Sequence, residues 1–366
     1  MVRVDARVAG KRHSLWAVVP LVPEIRFLRV GGRRVAYEVA GEGPLLLCPA
    51  WWVSHLELDR DNKAFAQFWE AFGDGYSVVR YDRLGVGVSD RELRDEDLTV
   101  DGEVEVIRAL LDELGAERAG FLGGSSSGCA AIAFAARFPE RVERLMLYGS
   151  YAEGPAITRP AVREAIVATV RSHWGIGSRL LSDIFLGEVS GQEQERFARF
   201  QRLAASADAA AALLEQVYRN DVRDQLPLVK APTMVVHRRE DRAIPYRLGR
   251  EVAAGITGAT LVPLEGSAHF PWAGDADGVV RALRAVLTTQ SSPERPAEAE
   301  PAAALLSRRE REVLKLLAHG LTDREIAEQL IVSPHTVHRH VANIRHKLGR
   351  GSRTAAVAEA ARLGLL

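Results

Sequence analysis

Three kinds of side chain in the longer part of the chain could together carry out acyl transfer. They are a serine within residues 123–128, Asp241 and His269, in that chain order. A serine hydroxyl is a weak nucleophile until a histidine accepts its proton, and the histidine needs a carboxylate to fix its tautomer. The three residues therefore predict a nucleophile, a general base and the acid behind it. Glu240 and Glu153 are the alternative acids.

The nucleophile lies in a run of two glycines, three serines and a further glycine, residues 123–128. The strained turn that exposes such a serine needs small residues two positions before it and two positions after it. Ser125 and Ser126 both satisfy this condition, and a literal G-x-S-x-G pattern selects Ser126. Spacing alone leaves both serines open.

Residues 123–142 resemble the nucleophile turn and following helix of the α/β-hydrolase family. In that family a helix of small residues follows the turn and ends near a Pro-Glu-Arg-Val sequence. Counting back from Pro139 favours Ser125 as the nucleophile, with Ser126 as the alternative. The departure from the usual pattern is Ser127, which stands where the family has a glycine.

The loops around Asp241 and His269 also resemble the acid and histidine loops of this family, and the resemblance covers about residues 24–287. It implies an oxyanion hole formed by the backbone N–H groups of Trp51 and Ser126. The implied activity is hydrolysis of an ester or related acyl bond.

The elements that would position these residues form an α/β pattern. Six short apolar runs predict buried strands: residues 44–49, 76–81, 119–122, 144–148, 233–237 and 260–263. Helical stretches alternate with several of them, which is typical of a mainly parallel sheet. Residues 156–224 have only helical patterns, and we interpret them as a lid over the ligand site.

Composition and charge divide the chain of 366 residues into two domains. Residues 288–305 are rich in Pro, Ala, Ser and Glu and predict a flexible linker. Residues 306–366 carry eleven Lys or Arg and six Asp or Glu, a net charge of +5, whereas the whole chain is neutral. The tail is therefore the part that a polyanion would bind.

Capping signals divide this tail into short helices. Ser307 with Glu310, and Thr322 with Glu325, have the spacing of a capping box, so each pair marks a helix start. Ser333 caps a third helix, and the proline after it occupies the first turn. A fourth helix, residues 354–363, is rich in alanine. The tail is therefore predicted to be a small all-α domain of four helices.

The third helix has an apolar face and a basic face. Its buried stripe is predicted at Val337, Val341, Ile344 and Leu348. Basic side chains on the opposite face match a helix-turn-helix whose third helix enters the major groove. The whole tail resembles the LuxR/GerE-type helix-turn-helix family. This resemblance implies double-stranded DNA as the partner and homodimerisation on DNA through the fourth helix. The DNA-contacting residues are then Thr336, His338, Arg339, Arg345 and Lys347.

The remaining features limit where such a chain would work. No apolar run reaches the ~20 residues of a membrane span, and residues 1–23 read as a flexible leader rather than a signal peptide. Cys48 and Cys129 offer neither a disulfide framework nor a metal cluster. We therefore expect a cytoplasmic protein that uses no metal and no other cofactor.

Two functions follow from these patterns. The first is a DNA-binding transcriptional regulator whose hydrolase-like domain senses, and can also hydrolyse, a small-molecule ligand. The second is an active serine hydrolase with an appended DNA-binding module. The tail is the more specific signal and favours the first, while fold alone does not decide, because hydrolase folds also serve as receptors.

Overall fold

The computed structural model describes residues 23–187, 189–287, 308–319, 321–330, 333–347 and 352–362. Residues 1–22 of the predicted leader and all of the predicted linker, 288–305, lie outside these ranges. The chain divides into two compact units, Met1–Gln290 and Ser291–Leu366. Each unit has a hydrophobic core of its own.

The first unit is built on one eight-stranded sheet with the order β1-β2-β4-β3-β5-β6-β7-β8. The strands are β1 (Arg26–Val30), β2 (Arg33–Ala40), β3 (Leu45–Cys48), β4 (Ser77–Tyr81), β5 (Ala119–Gly124), β6 (Val142–Tyr148), β7 (Thr233–Arg238) and β8 (Thr260–Leu264). Strands β3 to β8 pair in parallel, and β2 pairs antiparallel with both β1 and β4. The six predicted strands are β3 to β8, so the mainly parallel sheet is confirmed.

The hairpin of β1 and β2 is absent from the sequence-based prediction. β1 lies at the edge of the sheet and is mostly exposed, so charged residues interrupt its apolar pattern. Gly31 and Gly32, with φ angles of 56° and 81°, form the turn between the two strands. A Gly-Gly pair between two alternating runs is the signal that could have found this hairpin.

Helices cover both faces of the sheet. On one face lie α1 (Lys63–Gly73) and α9 (Ala276–Leu287), and on the other α2 (Val100–Glu113), α3 (Ser127–Arg137) and α8 (Tyr246–Gly255). The central strands are continuous apolar runs because both of their faces are buried: β5 gives Phe121 to one core and Leu122 to the other.

The predicted lid is helical, as expected. It consists of α4 (Pro160–Ser172), α5 (Trp174–Leu186), α6 (Gly191–Ala204) and α7 (Ala207–Arg219). Ser190 caps α6 by a capping box with Glu193, and the Ser206 side chain caps α7. Caps of this kind define where these two lid helices begin.

The second unit contains α10 (Arg308–Ala318), α11 (Asp323–Leu330), α12 (Pro334–Lys347) and α13 (Arg353–Arg362). The predicted stripe of α12 is buried at Val337, Val341 and Ile344, and Leu348 lies outside the described residues. The Thr322 N–H donates to Glu325 Oε2 at 2.7 Å and the Glu325 N–H to Thr322 Oγ1 at 3.4 Å, which is the predicted capping box. Ser307 lies outside the described residues.

Candidate active site and nucleic-acid interface

Ser125 occupies the turn between β5 and α3. Its φ of 54° is the only positive value found for a non-glycine residue in the described part of the chain. A left-handed backbone at such a residue costs about 1–3 kcal/mol and persists only where the surrounding structure enforces it. The Ser125 N–H donates to the Tyr148 carbonyl at 2.9 Å, which ties the turn to the end of β6. Ser126 has an ordinary helical φ of −64°.

Small residues on both sides make this turn possible. A Cβ at Gly123 would lie 2.9 Å from the Ala131 Cβ, and a Cβ at Gly124 would lie 2.1 Å from Trp51 Cζ2. Ser127 replaces the usual glycine without strain, because its hydroxyl is hydrogen-bonded to the Gly124 N–H at 3.0 Å and to the Gly124 carbonyl at 2.8 Å.

Asp241 and His269 meet at the carboxyl ends of β7 and β8. His269 Nδ1 lies 2.8 Å from Asp241 Oδ2, and both side chains are at most 2% exposed. Asp241 Oδ1 accepts from the N–H groups of Ala243 at 2.9 Å and Ile244 at 3.0 Å, which fixes the carboxylate. With its proton on Nδ1, the ring leaves Nε2 as the basic nitrogen. That Nε2 is buried and makes no hydrogen bond within the described residues, so none joins it to Ser125.

A buried arginine holds the histidine loop. Arg238, at the end of β7 and 2% exposed, donates to the carbonyls of Ala268 at 2.8 Å and Phe270 at 3.1 Å, on either side of His269. It also donates to the Ala273 carbonyl at 2.5 Å. Arg238 is not predictable from the sequence, since no local pattern distinguishes a buried arginine from a solvated one.

A second histidine lies behind the acid. His237 Nε2 is 2.9 Å from the Ile244 carbonyl oxygen and 3.7 Å from Asp241 Oδ2. Burial lowers the pKa of His237, against the opposing effect of the Asp241 charge. The neutral ring therefore closes the turn that carries Asp241.

The two amides of the predicted oxyanion hole are available as donors. Within the described residues, neither the Trp51 N–H nor the Ser126 N–H donates to another backbone group. The loop after Trp51 is held by Asp82, which accepts from Ser54 Oγ at 2.6 Å and from the Leu56 N–H at 3.1 Å. Burial raises the pKa of Asp82, and these hydrogen bonds act in the opposite direction.

The alternative residues have other partners. Glu240 accepts from the Gly266 N–H at 2.9 Å, and Glu153 pairs with Arg223 at 3.2 Å. The Ser126 side chain is buried and lines a cavity of only about 10 Å³. The geometry therefore favours Ser125 and Asp241 over the alternatives.

The lid covers the histidine. Phe185, near the end of α5, has its ring centroid 5.7 Å from that of His269, and its carbonyl accepts from the His269 N–H at 2.8 Å. A pocket of about 520 Å³ lies close by, and Trp51 and Trp272 line it whereas Ser125 and His269 do not. Trp52 and Trp174 do not line this pocket and pack edge-on against each other at 6.3 Å.

On the predicted DNA-reading helix α12, two of the basic residues have acidic partners. Lys347 Nζ lies 2.7 Å from Glu310 Oε2, and the Glu310 side chain is 4% exposed. His338 Nδ1 lies 3.5 Å from Asp323 Oδ2 and is largely exposed. Arg345 is half-buried, and the side chains of Thr336 and Arg339 lie outside the described residues.

Comparison with known families identifies both units. The family model "Alpha/beta hydrolase family" matches residues 45–282, and "Bacterial regulatory proteins, luxR family" matches residues 304–360. The chain belongs to the α/β hydrolase family, with a LuxR-family helix-turn-helix domain at its C-terminal end. That domain implies DNA-binding regulation.

Individual relatives match the first unit. A 2-hydroxy-6-oxononadienedioate/2-hydroxy-6-oxononatrienedioate hydrolase of Paraburkholderia phymatum is 30% identical over 200 residues, which are 52% of this chain and 69% of the relative. Among solved structures, a hydrolase from Pseudomonas aeruginosa is 25% identical with a TM-score of 0.61, covering 72% of this chain and 98% of its own. The enol-lactonase of Burkholderia xenovorans, at 23% identity and a TM-score of 0.58, shares the fold over 72% of this chain and all of its own.

The lengths and compositions of the described helices show whether any of them could cross a membrane. None of them is long and apolar enough to span a bilayer.

Proposed function

We propose that this chain is a transcriptional regulator whose hydrolase domain senses a small-molecule ligand and can hydrolyse it. The observation that carries the proposal is the union of a LuxR-family domain, over residues 304–360, with a hydrolase domain that keeps a buried Asp241–His269 pair. The helical lid supports the ligand-binding part, because lids of this kind close over small molecules.

The chemistry of the site would follow from the geometry around Ser125. His269 Nε2 takes the proton of the Ser125 hydroxyl as the oxygen attacks the acyl carbon, and Asp241 stabilises the imidazolium that forms. The N–H groups of Trp51 and Ser126 stabilise the negative oxygen of the tetrahedral intermediate. His269 then protonates the leaving group, and water hydrolyses the acyl-enzyme by the same steps.

For the DNA-binding part, we propose that α12 enters the major groove as a homodimer. Thr336, His338, Arg339, Arg345 and Lys347 are the proposed contacts. Lys347 and His338 would exchange their acidic partners for phosphates. The relative in Paraburkholderia phymatum is named as a hydrolase of 2-hydroxy-6-oxononadienedioate and 2-hydroxy-6-oxononatrienedioate, and we propose a conjugated acid as the ligand class of this chain.

The test is fluorescence anisotropy of the full chain with a labelled duplex, over a series of salt concentrations. We expect binding that weakens steeply with salt, because phosphate neutralisation releases counterions. The Arg339→Ala variant should relax sequence preference if Arg339 reaches a base edge. Salt-independent binding, or none at low salt, would contradict the regulator.

The active serine hydrolase remains a second candidate, favoured by the strained backbone of Ser125. It is tested by incubating the full chain with a fluorophosphonate probe and measuring intact mass. An unlabelled protein with normal DNA binding would leave the sensor as the only function.

A further inference from the structure

The pocket of about 520 Å³ lies beside the candidate active site, and Ser125, Asp241 and His269 do not line it. Lid helix α6 lines one side, and the segment after β3 together with α1 lines the other. Its volume lies within the range of about 300–1,000 Å³ that is typical of small-ligand sites.

Stacked aromatic rings line the pocket. The ring centroids of Phe270 and Trp272 are 4.8 Å apart with planes 9° from parallel, and Trp51 stacks on Phe270 at 5.7 Å. From the lid, Phe197 meets Phe270 edge-on at 5.0 Å. A wall of this kind favours flat aromatic or conjugated groups, which can stack on it or meet it edge-on.

Two of these rings separate the pocket from the nucleophile. The Trp51 ring packs against Gly124 and lies 6.4 Å from the His269 ring, and the Phe270 ring lies 6.0 Å from it. Both rings also line the pocket. A ligand in the pocket would therefore contact the residues behind the catalytic groups without reaching Ser125.

The charged residues of the lining decide which ligand charge fits. Three acidic and three basic residues line the pocket: Asp59, Asp61, Glu193, Arg80, Arg196 and Arg199. Asp59 lies 3.6 Å from Arg80, and Glu193 lies 3.9 Å from Arg196. Arg80 also pairs with the buried Glu38, so Arg80 and Arg196 both have carboxylate partners.

The remaining two charges differ in their surroundings. Neither Asp61 nor Arg199 forms an ion pair with a described residue. Asp61 immediately precedes Asn62, the N-cap of α1, where the positive end of the helix stabilises a carboxylate. Arg199 lies in the middle of α6 and lacks such compensation. Among the described lining residues, Arg199 is thus an exposed arginine without an ion-pair partner.

We propose that this pocket binds a flat aromatic or conjugated organic acid. Its ring would lie against Trp51, Phe270 and Trp272, and its carboxylate would bind the guanidinium of Arg199, which matches a carboxylate in shape and charge. The inference names the ligand class of the proposed sensor and rests on that function. It also explains how a ligand can be held beside Ser125 without being hydrolysed.

The experiment is isothermal titration calorimetry of the full chain with three probes that share one ring system. They are the carboxylate 1-naphthaleneacetate, the alcohol 2-(1-naphthyl)ethanol and the amine 2-(1-naphthyl)ethylamine. We expect the acid to bind most tightly. Arg199→Ala should weaken the acid about tenfold and leave the alcohol unchanged. Arg250→Ala, which removes an exposed arginine of α8 outside the pocket, is the matched control and should change nothing.

Two further variants locate the bound probe. Trp272→Leu should weaken all three probes, and Ser125→Ala should bind the acid as the unaltered chain does. Absence of binding, equal binding of all three probes, or no effect of Arg199→Ala would overturn the proposal. Loss of binding in Ser125→Ala would place the acid in the active site instead.

A separate readout distinguishes this site from the sensor function. The affinity for DNA is measured by fluorescence anisotropy of the labelled duplex, with and without saturating 1-naphthaleneacetate. Binding of the acid through Arg199 without any change in DNA affinity would support the site and contradict the sensor. A change in DNA affinity that disappears in Arg199→Ala would support both.

Discussion

At Ser125 the backbone adopts a left-handed conformation that serine rarely takes, and its neighbours make this possible. Gly123 and Gly124 lie against Ala131 and Trp51, where any side chain would collide. The left-handed φ sets Ser125 apart from helix α3, which begins at Ser127. Ser126 lines a cavity that is too small for a substrate. The two adjacent serines therefore differ in backbone conformation and in the space beside their side chains.

We predict that Ser125→Ala abolishes fluorophosphonate labelling and lowers ester turnover by about 10⁴-fold or more, because a triad acts as a unit. Ser126→Ala should keep labelling, since only its backbone N–H is used. Intact mass and hydrolysis of a p-nitrophenyl ester measure the two effects. Labelling that survives in Ser125→Ala and disappears in Ser126→Ala would assign the nucleophile to Ser126.

Asp59 gives a second prediction at this scale. Burial raises the pKa of Asp59 to about 7, despite the nearby Arg80 charge. The folded pKa therefore exceeds the unfolded value of about 4. The contribution of the protonated Asp59 carboxyl to the free energy of unfolding is fully present below about pH 4. It is lost as the pH rises through about 7.

Asp59→Asn should lack this loss, because an amide stays neutral at every pH. We expect the urea midpoint of the variant, relative to that of the unaltered chain, to rise between about pH 5 and about pH 8. Asp61→Asn, an exposed neighbour, is the control and should show a constant difference. A constant difference for Asp59→Asn as well would show that the carboxyl is ionised throughout.

At the scale of elements, the end of α5 closes the candidate active site. The Phe185 ring lies over His269, and the next residues reach the histidine loop, where a Cβ on Gly187 would be 2.8 Å from Ser267 Oγ. Arg242 also pairs with Asp183 of α5 at 2.7 Å. This lid segment therefore covers His269, whereas Ser125 itself is half-buried.

Phe185→Ala should speed fluorophosphonate labelling about tenfold, since it removes the ring that covers the histidine. Phe200→Ala is the matched control, because Phe200 lies on the lid and lines the large pocket but forms no ring contact with His269. Stopped labelling reactions analysed by intact mass give the rates. Equal rates in all three proteins would show that Phe185 does not limit access.

Helices α10 and α12 are joined by the pair of Lys347 and Glu310. Because Glu310 is buried, Lys347→Ala removes one charge-assisted hydrogen bond from a buried carboxylate, at a cost of about 1–3 kcal/mol. We predict that this variant destabilises the second unit as well as weakening DNA binding. Hydrogen exchange of α10 and DNA anisotropy measure the two effects.

Arg324→Ala is the control for this prediction, since Arg324 and its partner Glu328 are both largely exposed. It should change exchange in α10 little, because exposed ion pairs contribute at most about 1 kcal/mol. If Lys347→Ala weakens DNA binding with no change in exchange, the ion pair does not stabilise the unit.

At the scale of the whole molecule, regulation would depend on how two chains meet on DNA. Helix α13 buries Ala356 and Ala360 against its own unit and exposes Ala358 and Ala361. A face of small side chains allows close approach of a second copy, which would set the spacing of two recognition helices.

Ala358→Glu should place like charges against each other in such a dimer and weaken DNA binding about tenfold. Ala358→Ser, which keeps the residue small and neutral, should bind as the unaltered chain does. Analytical ultracentrifugation with labelled duplex gives the number of chains bound. A two-chain complex of full affinity in Ala358→Glu would exclude α13 from the interface.

Local sequence patterns determined much of this protein. Strands β3 to β8, the lid helices and the capping box at Thr322 were predictable because hydrophobic periodicity and caps act over a few residues. The exposed edge strand β1 was missed, since its pattern is weakened by charge. Chain order and the resemblance of two loops to those of the α/β-hydrolase family selected Asp241 and His269, and the structure brings these side chains within 2.8 Å.

Only the tertiary structure decided which groups meet across long stretches of chain. Arg238 reaches the carbonyl of Ala268, 30 residues away, and Lys347 reaches Glu310, 37 residues away. Gly124 lies against the ring of the distant Trp51, and residues of both α6 and α1 line the large pocket. These contacts have no local signature, because the environment of a side chain is set by segments that become neighbours only after folding.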